Sequence, residues 1–235
     1  MKLGIIGAMD LEIETLLGAM QVESQRRYAG SAYSDGVLMG LPVVVVQCGV
    51  GKVNAAIAAQ VLCDCYQVTH LVNTGIAGSL DASLDIGDLV VSTDAVYHDF
   101  DCTPFGYPLH QVPGVDVEAF PADPWLAQAA LAAAEAVNPG HCRMGRIASG
   151  DQFIADPARK AEIIASTGAQ CTEMEGTAIA HTAYRNGVPF VILRAISDKA
   201  DDSAHEDYPT FERKAAEHCA AVTRTLAAKL AEKAG

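Results

Sequence analysis

Four carboxylates stand where apolar runs give way to polar or glycine-rich residues: Glu12 in "GAMDLE", Glu173 and Glu175 in "CTEMEG", and Asp198 in "RAISD". Charged side chains rarely enter apolar segments without a task. Two carboxyls in different surroundings can keep opposite protonation states near neutral pH, one giving a proton while the other takes one. General acid–base work is therefore the first chemistry these residues offer. Each also has a plainer reading. Glu12 shares a predicted first helical turn with Asp10 and Glu14, where any acid gains roughly 0.3–1 kcal/mol from the helix dipole. Asp198, before "KADD", can simply cap a turn. Glu173 and Glu175 can be solvated acids at a helix start.

Their spacing sharpens the question. Residues 173 and 175 would diverge by about 200° on a helix but share a face on an extended segment. An extended stretch with a helix beginning near Gly176 would let both approach a ligand.

Other chemistries fit less well. "GVGK" at 49–52 lacks the first glycine of a phosphate loop, because Val46 occupies it, and Val53 replaces the Ser or Thr after the lysine. "GIIGAM" is not the dinucleotide fingerprint. His98, Asp99 and Asp101 in "VYHDFDC" read as a polar turn with internal hydrogen bonds rather than a metal site. The seven cysteines form no CxxC pair, and Cys63-Asp64-Cys65 has no partner at ligand spacing. No metal and no cofactor is expected.

Composition narrows the class. The chain has 235 residues, 50% hydrophobic and 19% charged, with a net charge of −13. That balance excludes a disordered chain and argues against nucleic acid or an anionic membrane as partner. Acids interrupt the apolar run after residue 9, so no signal peptide is read, and no run is long enough for a membrane span. A cytoplasmic protein is expected.

The elements that must carry the carboxylates follow from periodicity. "KLGIIGAM" reads as a strand, followed by a helix on Leu11, Leu16, Leu17 and Met20. "YAGSAYSDGVLMGLPVVVVQCGVGK" reads as strand, turn and strand, punctuated by Gly36, Gly40 and Pro42. A helix over "KVNAAIAAQVLCDCY" leads to "THLVNTGIAGSL", a buried strand running into a glycine-rich turn. "IGDLVVSTDAVYHDFD" is a further strand, and a proline-bearing connection runs from about 99 to 122. Then come a helix at 123–137, the strand "CRMGRIASGD", a helix at 157–167, and the helix "GTAIAHTAYRNG". The strand "VPFVILRAISD" and a terminal helix at 209–234 close the chain. Strands alternating with helices indicate one α/β domain over 1–235, a three-layer sandwich whose mixed, largely parallel twisted sheet is flanked by helices. In such sheets ligands bind beyond the carboxyl ends of the strands.

The chain resembles the nucleoside phosphorylase superfamily, and closely its 5′-methylthioadenosine/S-adenosylhomocysteine nucleosidases. The matching stretches include "GIIGAMDLEIETL", "CGVGKVNAA", "NTGIAG", "ASGDQFI", "TEMEGTAIAH" and "PFVILRAISDKAD", in family order from residue 3 to about 211. The resemblance implies hydrolysis of an N-ribosidic bond to adenine. Such a bond breaks through an oxocarbenium-like sugar; an acid must protonate the imidazole ring of the base, and a second carboxylate must take a proton from the attacking water. The resemblance selects Glu12 as that base and Asp198 as the acid, with Ser197 orienting it. It assigns Glu175 to the ribose hydroxyls, Met174 to an apolar wall against the sugar, and Glu173 to a supporting place nearby. Phe153 would stack on adenine, the backbone of Ile154 would bond its edge, and Arg194 would help place the water. Tyr208 would lie above the ribose and sulfur. The connection "TPFGYPLHQVP" would cross a homodimer interface, its 100–114 loop lending Phe105, Tyr107 and Pro113 to the partner's site.

Three departures from the family pattern matter. Ile76 stands where many relatives carry a serine facing the water, leaving the backbones of Ala77 and Gly78 to hold it. Val50 replaces a larger aliphatic at the sulfur side. Tyr208, in place of Phe, adds a hydroxyl. The rival functions are a phosphate-dependent purine nucleoside phosphorylase of the same fold and a purine-binding protein without catalysis. Phosphorolysis needs cationic donors, and only Arg26 and Arg27 among arginines precede residue 100.

Overall fold

The computed structural model describes residues 1–234. Strand β1 (Leu3–Gly7) feeds helix α1 (Asp10–Ala19), after which β2 (Gln21–Tyr28), β3 (Ser31–Leu38) and β4 (Leu41–Gln47) form two hairpins. Helix α2 (Lys52–Tyr66), β5 (His70–Ser79) and β6 (Leu89–Tyr97) follow. Past the long connection come β7 (Phe120–Pro121), α3 (Pro124–Val137), β8 (Cys142–Ser149), α4 (Pro157–Thr167) and β9 (Cys171–Glu173). Helix α5 (Gly176–Asn186), β10 (Phe190–Asp198) and α6 (Ala204–Ala234) complete the chain.

The period-2 apolar pattern explains the layers. Leu3 and Ile5 of β1, with Val43 and Val45 of β4, pack with residues of α1, α3 and α6. Ile6, Val44 and Val46, on the opposite face, pack with α2 and α5. A sheet apolar on both faces has to be covered on both, which yields the three-layer sandwich.

The sheet is mixed. Its central ladders β4–β1, β1–β5 and β5–β10 are parallel, whereas β10–β6, β5–β9 and the hairpins are antiparallel. It also departs from an open sheet: β5, β10, β6, β8 and β9 pair in sequence and return to β5, closing a ring at one end. β5 belongs to both parts. Along one edge it pairs with β1 from His70 to Asn73 and with β9 at Gly78 and Ser79. Between those contacts residues 74–77 have no strand beside them on that edge. This opening is where the carboxylates gather.

Three local expectations are revised. "NTGIAG" is strand to its end, not a turn, because β10 pairs with it throughout. Gly36 lies within β3, where a Cβ would meet the Gln21 carbonyl at 2.0 Å opposite an irregularity in β2; the hairpin turns are instead Ala29-Gly30 and Met39-Gly40, all at positive φ. Helix α6 starts at Ala204 and carries Pro209 inside it. Strand β2 is unexpected. It is exposed along nearly its whole length, so it lacks the apolar alternation that identifies a strand.

Candidate active site

Glu12 is separated from its acidic neighbours by burial. Asp10 is exposed and Glu14 pairs at the surface with Arg213, whereas Glu12 is 4% exposed. Its Oε2 accepts the amides of Ala8 at 2.6 Å and Met9 at 3.0 Å, closing the end of β1 onto the start of α1. Its Oε1 accepts the Ile76 amide at 3.1 Å, across the opening between β1 and β9. Burial pushes its pKa up, and the charge of Arg194 with the amides of Met9, Ala8 and Ile76 pulls it back. The carboxylate makes its recorded contacts as an acceptor, and a cation stands nearby.

Asp198 ends β10 on the far side of the same cleft. Its Oδ1 accepts the Ala200 amide and its Oδ2 the Ser197 hydroxyl, each at 2.8 Å. Burial raises its pKa; those two bonds oppose the rise, while the charges of Asp207 and Asp201 add to it. The two carboxyls thus differ in their company. Glu12 has a guanidinium and three amides, while Asp198 has two donors and further acids. Burial raises both, and it is opposed by a cation and three amides at Glu12 but by two hydrogen bonds alone at Asp198.

The "TEMEG" segment behaves as its spacing suggests up to Glu173, the last residue of β9; Glu175 is already the N-cap of α5. Glu173 turns inward. It forms an ion pair with Arg194, accepts from the Ser149 hydroxyl, and takes the amides of Glu175 and Gly176 at 3.0 and 2.8 Å. Burial works to raise its pKa, but Arg194 and these donors outweigh it and hold the carboxylate ionised. Glu175 accepts the Gly51 amide at 2.7 Å. Burial, with the charge of Glu173 beside it, pushes its pKa up to about 8.

Arg194 is 2% exposed and bonds Glu173, the Asn73 carbonyl oxygen and the Leu193 backbone oxygen. It pairs with an acid, Glu173, and also stands close to Glu12. Gly75 makes the approach feasible, since a Cβ there would lie 2.4 Å from Glu12 Oε1 and 3.1 Å from Arg194 Nη1.

The carboxylates border one cleft. Val50, Ile76, Ala77 and Gly78 contribute to its walls, as do Met174 and Ser197. Phe153 and Tyr208 meet edge to face at its rim, centroids 5.4 Å apart. The Tyr208 hydroxyl reaches the Met9 sulfur at 3.3 Å, which supplies the contact for the extra hydroxyl. Ile154 is buried against an adjoining recess that includes Phe153 and Asp198. Phe105, Tyr107 and Pro113 do not line this cleft; all three are exposed on the connection. Among the described residues no group of His, Cys, Asp and Glu is arranged to hold a metal ion.

The model of the phosphorylase superfamily matches residues 2–228. A 5′-methylthioadenosine/S-adenosylhomocysteine nucleosidase of Shewanella sp. (strain MR-7) is 39% identical over 232 residues, covering 98% of each chain. The chain belongs to the 5′-methylthioadenosine/S-adenosylhomocysteine nucleosidases of that superfamily. Solved nucleosidases agree in fold. The enzyme of Neisseria meningitidis, in complex with methylthio-immucillin-A, superimposes with a TM-score of 0.94 at 35% identity, covering 97% of this chain and 99% of its own. That of Colwellia psychrerythraea 34H, in complex with adenine, gives 0.94 at 37% identity, with 98% and 96% covered.

Sequence reasoning missed two residues that hold Arg194 and Glu173 in place. Asn73 donates to the Ile6 carbonyl at 2.9 Å and accepts from Arg194, tying β5 to β1 beside Glu12. Ser149 accepts from the Thr177 amide and hydroxyl at 2.8 and 2.7 Å while donating to Glu173. Neither residue type by itself signals such a role. Position was a hint for Ser149 alone, which ends β8, whereas Asn73 lies inside β5.

Proposed function

We propose that the chain hydrolyses the N-ribosidic bond of 5′-methylthioadenosine and S-adenosylhomocysteine, releasing adenine and the 5-thioribose product. The observation that carries this reading is the meeting of Glu12 and Asp198 in one cleft with Glu175 and Phe153 between segments distant in sequence. Asp198 gives its proton to the imidazole ring of the purine as the bond to the sugar lengthens. Glu12 takes a proton from water as its oxygen bonds to the anomeric carbon. Glu175 accepts the ribose hydroxyls, with Met174 against the sugar and Phe153 and the Ile154 backbone on the base. Arg194 acts on the water through Glu12 and Glu173 rather than by direct reach. Ile76 keeps its part without a hydroxyl, since its amide holds Glu12. The whole chain serves as one domain, in the recycling of S-adenosylmethionine by-products toward methionine.

Two further parts of the reading concern context. No helix among the described residues is long and apolar enough to cross a membrane; a cytoplasmic enzyme is proposed. A homodimer is supported by the apolar side chains left exposed on the single chain. Val53 is 70% and Phe105 81% exposed, and Ile57 and Tyr107 are exposed beside them in sequence. The 100–114 loop would then complete the partner's alkylthio pocket with Phe105, Tyr107 and Pro113.

Phosphorolysis is the second reading of this fold. Among the described residues no Lys or Arg lines the cleft, which favours water over phosphate. Adenine release from 5′-methylthioadenosine, measured with and without inorganic phosphate, tests the point. Equal rates are expected; strict dependence on phosphate would overturn hydrolysis.

A further inference from the structure

Two motifs that gave no chemistry in the sequence, "GVGK" and "VYHDFD", meet in the structure. Nζ of Lys52 donates to Asp99 Oδ2 at 2.6 Å. The same oxygen accepts the Asp151 amide at 3.0 Å, and Asp151 Oδ1 accepts the Lys52 amide at 2.8 Å. The three residues close a ring in which each is bonded to the other two. The Lys52 ammonium also stands 5.4 Å from the centre of the Tyr97 ring. The Lys52 and Asp99 side chains are only 24% and 16% exposed, so water screens the pair far less than a surface ion pair.

Two corners of the ring, Lys52 and Asp151, stand within two residues of the cleft wall. Gly51, just before Lys52, donates to Glu175, and Val50 before it is part of the wall. Phe153 follows Asp151 by two residues. Asp99 opens the long connection. Gly51 has φ 98°, and a Cβ on it would stand 3.1 Å from Asp151 Oδ1, so a side chain at this turn would crowd the aspartate.

We propose that Lys52, Asp99 and Asp151 are positioning residues that set the separation between the ribose-facing Glu175 and the purine-facing Phe153. The inference rests on the nucleosidase reading above. None of the three lines the cleft. Lys52 acts on Glu175 through the Gly51 amide, and on Phe153 through Asp99 and Asp151. Without the ammonium, Asp99 loses its charged donor, and the Gly51 turn and the segment 151–153 lose their common anchor.

Steady-state kinetics of the full chain on 5′-methylthioadenosine test this. Lys52→Met and the isosteric Asp99→Asn should each raise KM roughly tenfold, the loss expected from one charge-assisted hydrogen bond. Lys52→Arg, which keeps a cation within reach of Asp99, should recover most of that loss. A merely structural role would shrink the folded fraction, lowering kcat at unchanged KM. Lys52→Met in a Phe153→Ala background should raise KM by less than it does in the wild type, because the ring it positions is gone. A rise in KM below about threefold in Asp99→Asn, or a fall in kcat alone, overturns the proposal. Failure of the wild-type chain to release adenine would instead overturn the nucleosidase reading.

Discussion

Gly78 leaves room for Asp198: a Cβ on the glycine would stand 2.8 Å from Asp198 Oδ1 and 2.9 Å from the Ala200 Cβ. Gly75, three residues earlier on β5, does the same for Glu12. The two glycines of "NTGIAG" thus seat the two carboxylates, by bare proximity rather than by unusual backbone angles. Gly78→Ala should displace Asp198 and reduce kcat by about a hundredfold, since misplacing a reacting group by an ångström has effects of that order. Thermal unfolding and kcat measured together check it; a near-normal kcat in a folded variant would contradict it.

The proposed mechanism requires Glu12 without its proton and Asp198 with one. The rate therefore rises with pH as Glu12 ionises and falls as Asp198 does. Burial pushes both groups up from their ordinary range, so both limbs of the kcat/KM profile should be shifted upward from it. A profile without a falling limb up to about pH 9 would count against Asp198 as the acid.

Stability of the ligand-free chain should fall as pH rises. Glu175 holds its proton in the folded state up to about 8, whereas in the unfolded chain it releases it near the ordinary 4.5. The folded state binds more protons in that window, so the contribution is complete below about 4.5 and is lost as pH passes through about 8. Glu12 and Asp198, also raised, act in the same direction, while Glu173 acts oppositely and at lower pH. Denaturant midpoints across this range should decline for the wild type and decline less for Glu175→Gln.

Arg194 and Glu173 are buried together, so losing one leaves the other as an uncompensated charge. Arg194→Met should cost about 3–5 kcal/mol in denaturant unfolding. Adding Glu173→Leu should recover part of that cost, because the stranded carboxylate is removed. Strictly additive losses would mean that the two charges do not depend on each other.

Most of the fold was readable because its strands are buried on both faces and its helices carry regular apolar spacing. The exceptions have physical causes. Strand β2 is held by backbone pairing with β3 and not by an apolar face, so periodicity is silent there. The ring of β5, β10, β6, β8 and β9 depends on pairing between strands far apart in sequence, which no local pattern encodes. In the site, Glu12 could not be told from Asp10 or Glu14 by its position in the helix; the resemblance chose it, and burial is what sets it apart. Glu173 was hard to place because its partners, Arg194 and Ser149, come from other strands. Asn73 gave no signal at all.

The central claim is the division of labour between Asp198 and Glu12. Asp198→Asn and Glu12→Gln keep shape and remove, respectively, the proton donor and the proton acceptor. Each should bind 5′-methylthioadenosine within about tenfold of the wild type while releasing adenine at least about a hundredfold more slowly. Adenine release near the wild-type rate from either variant would contradict the account.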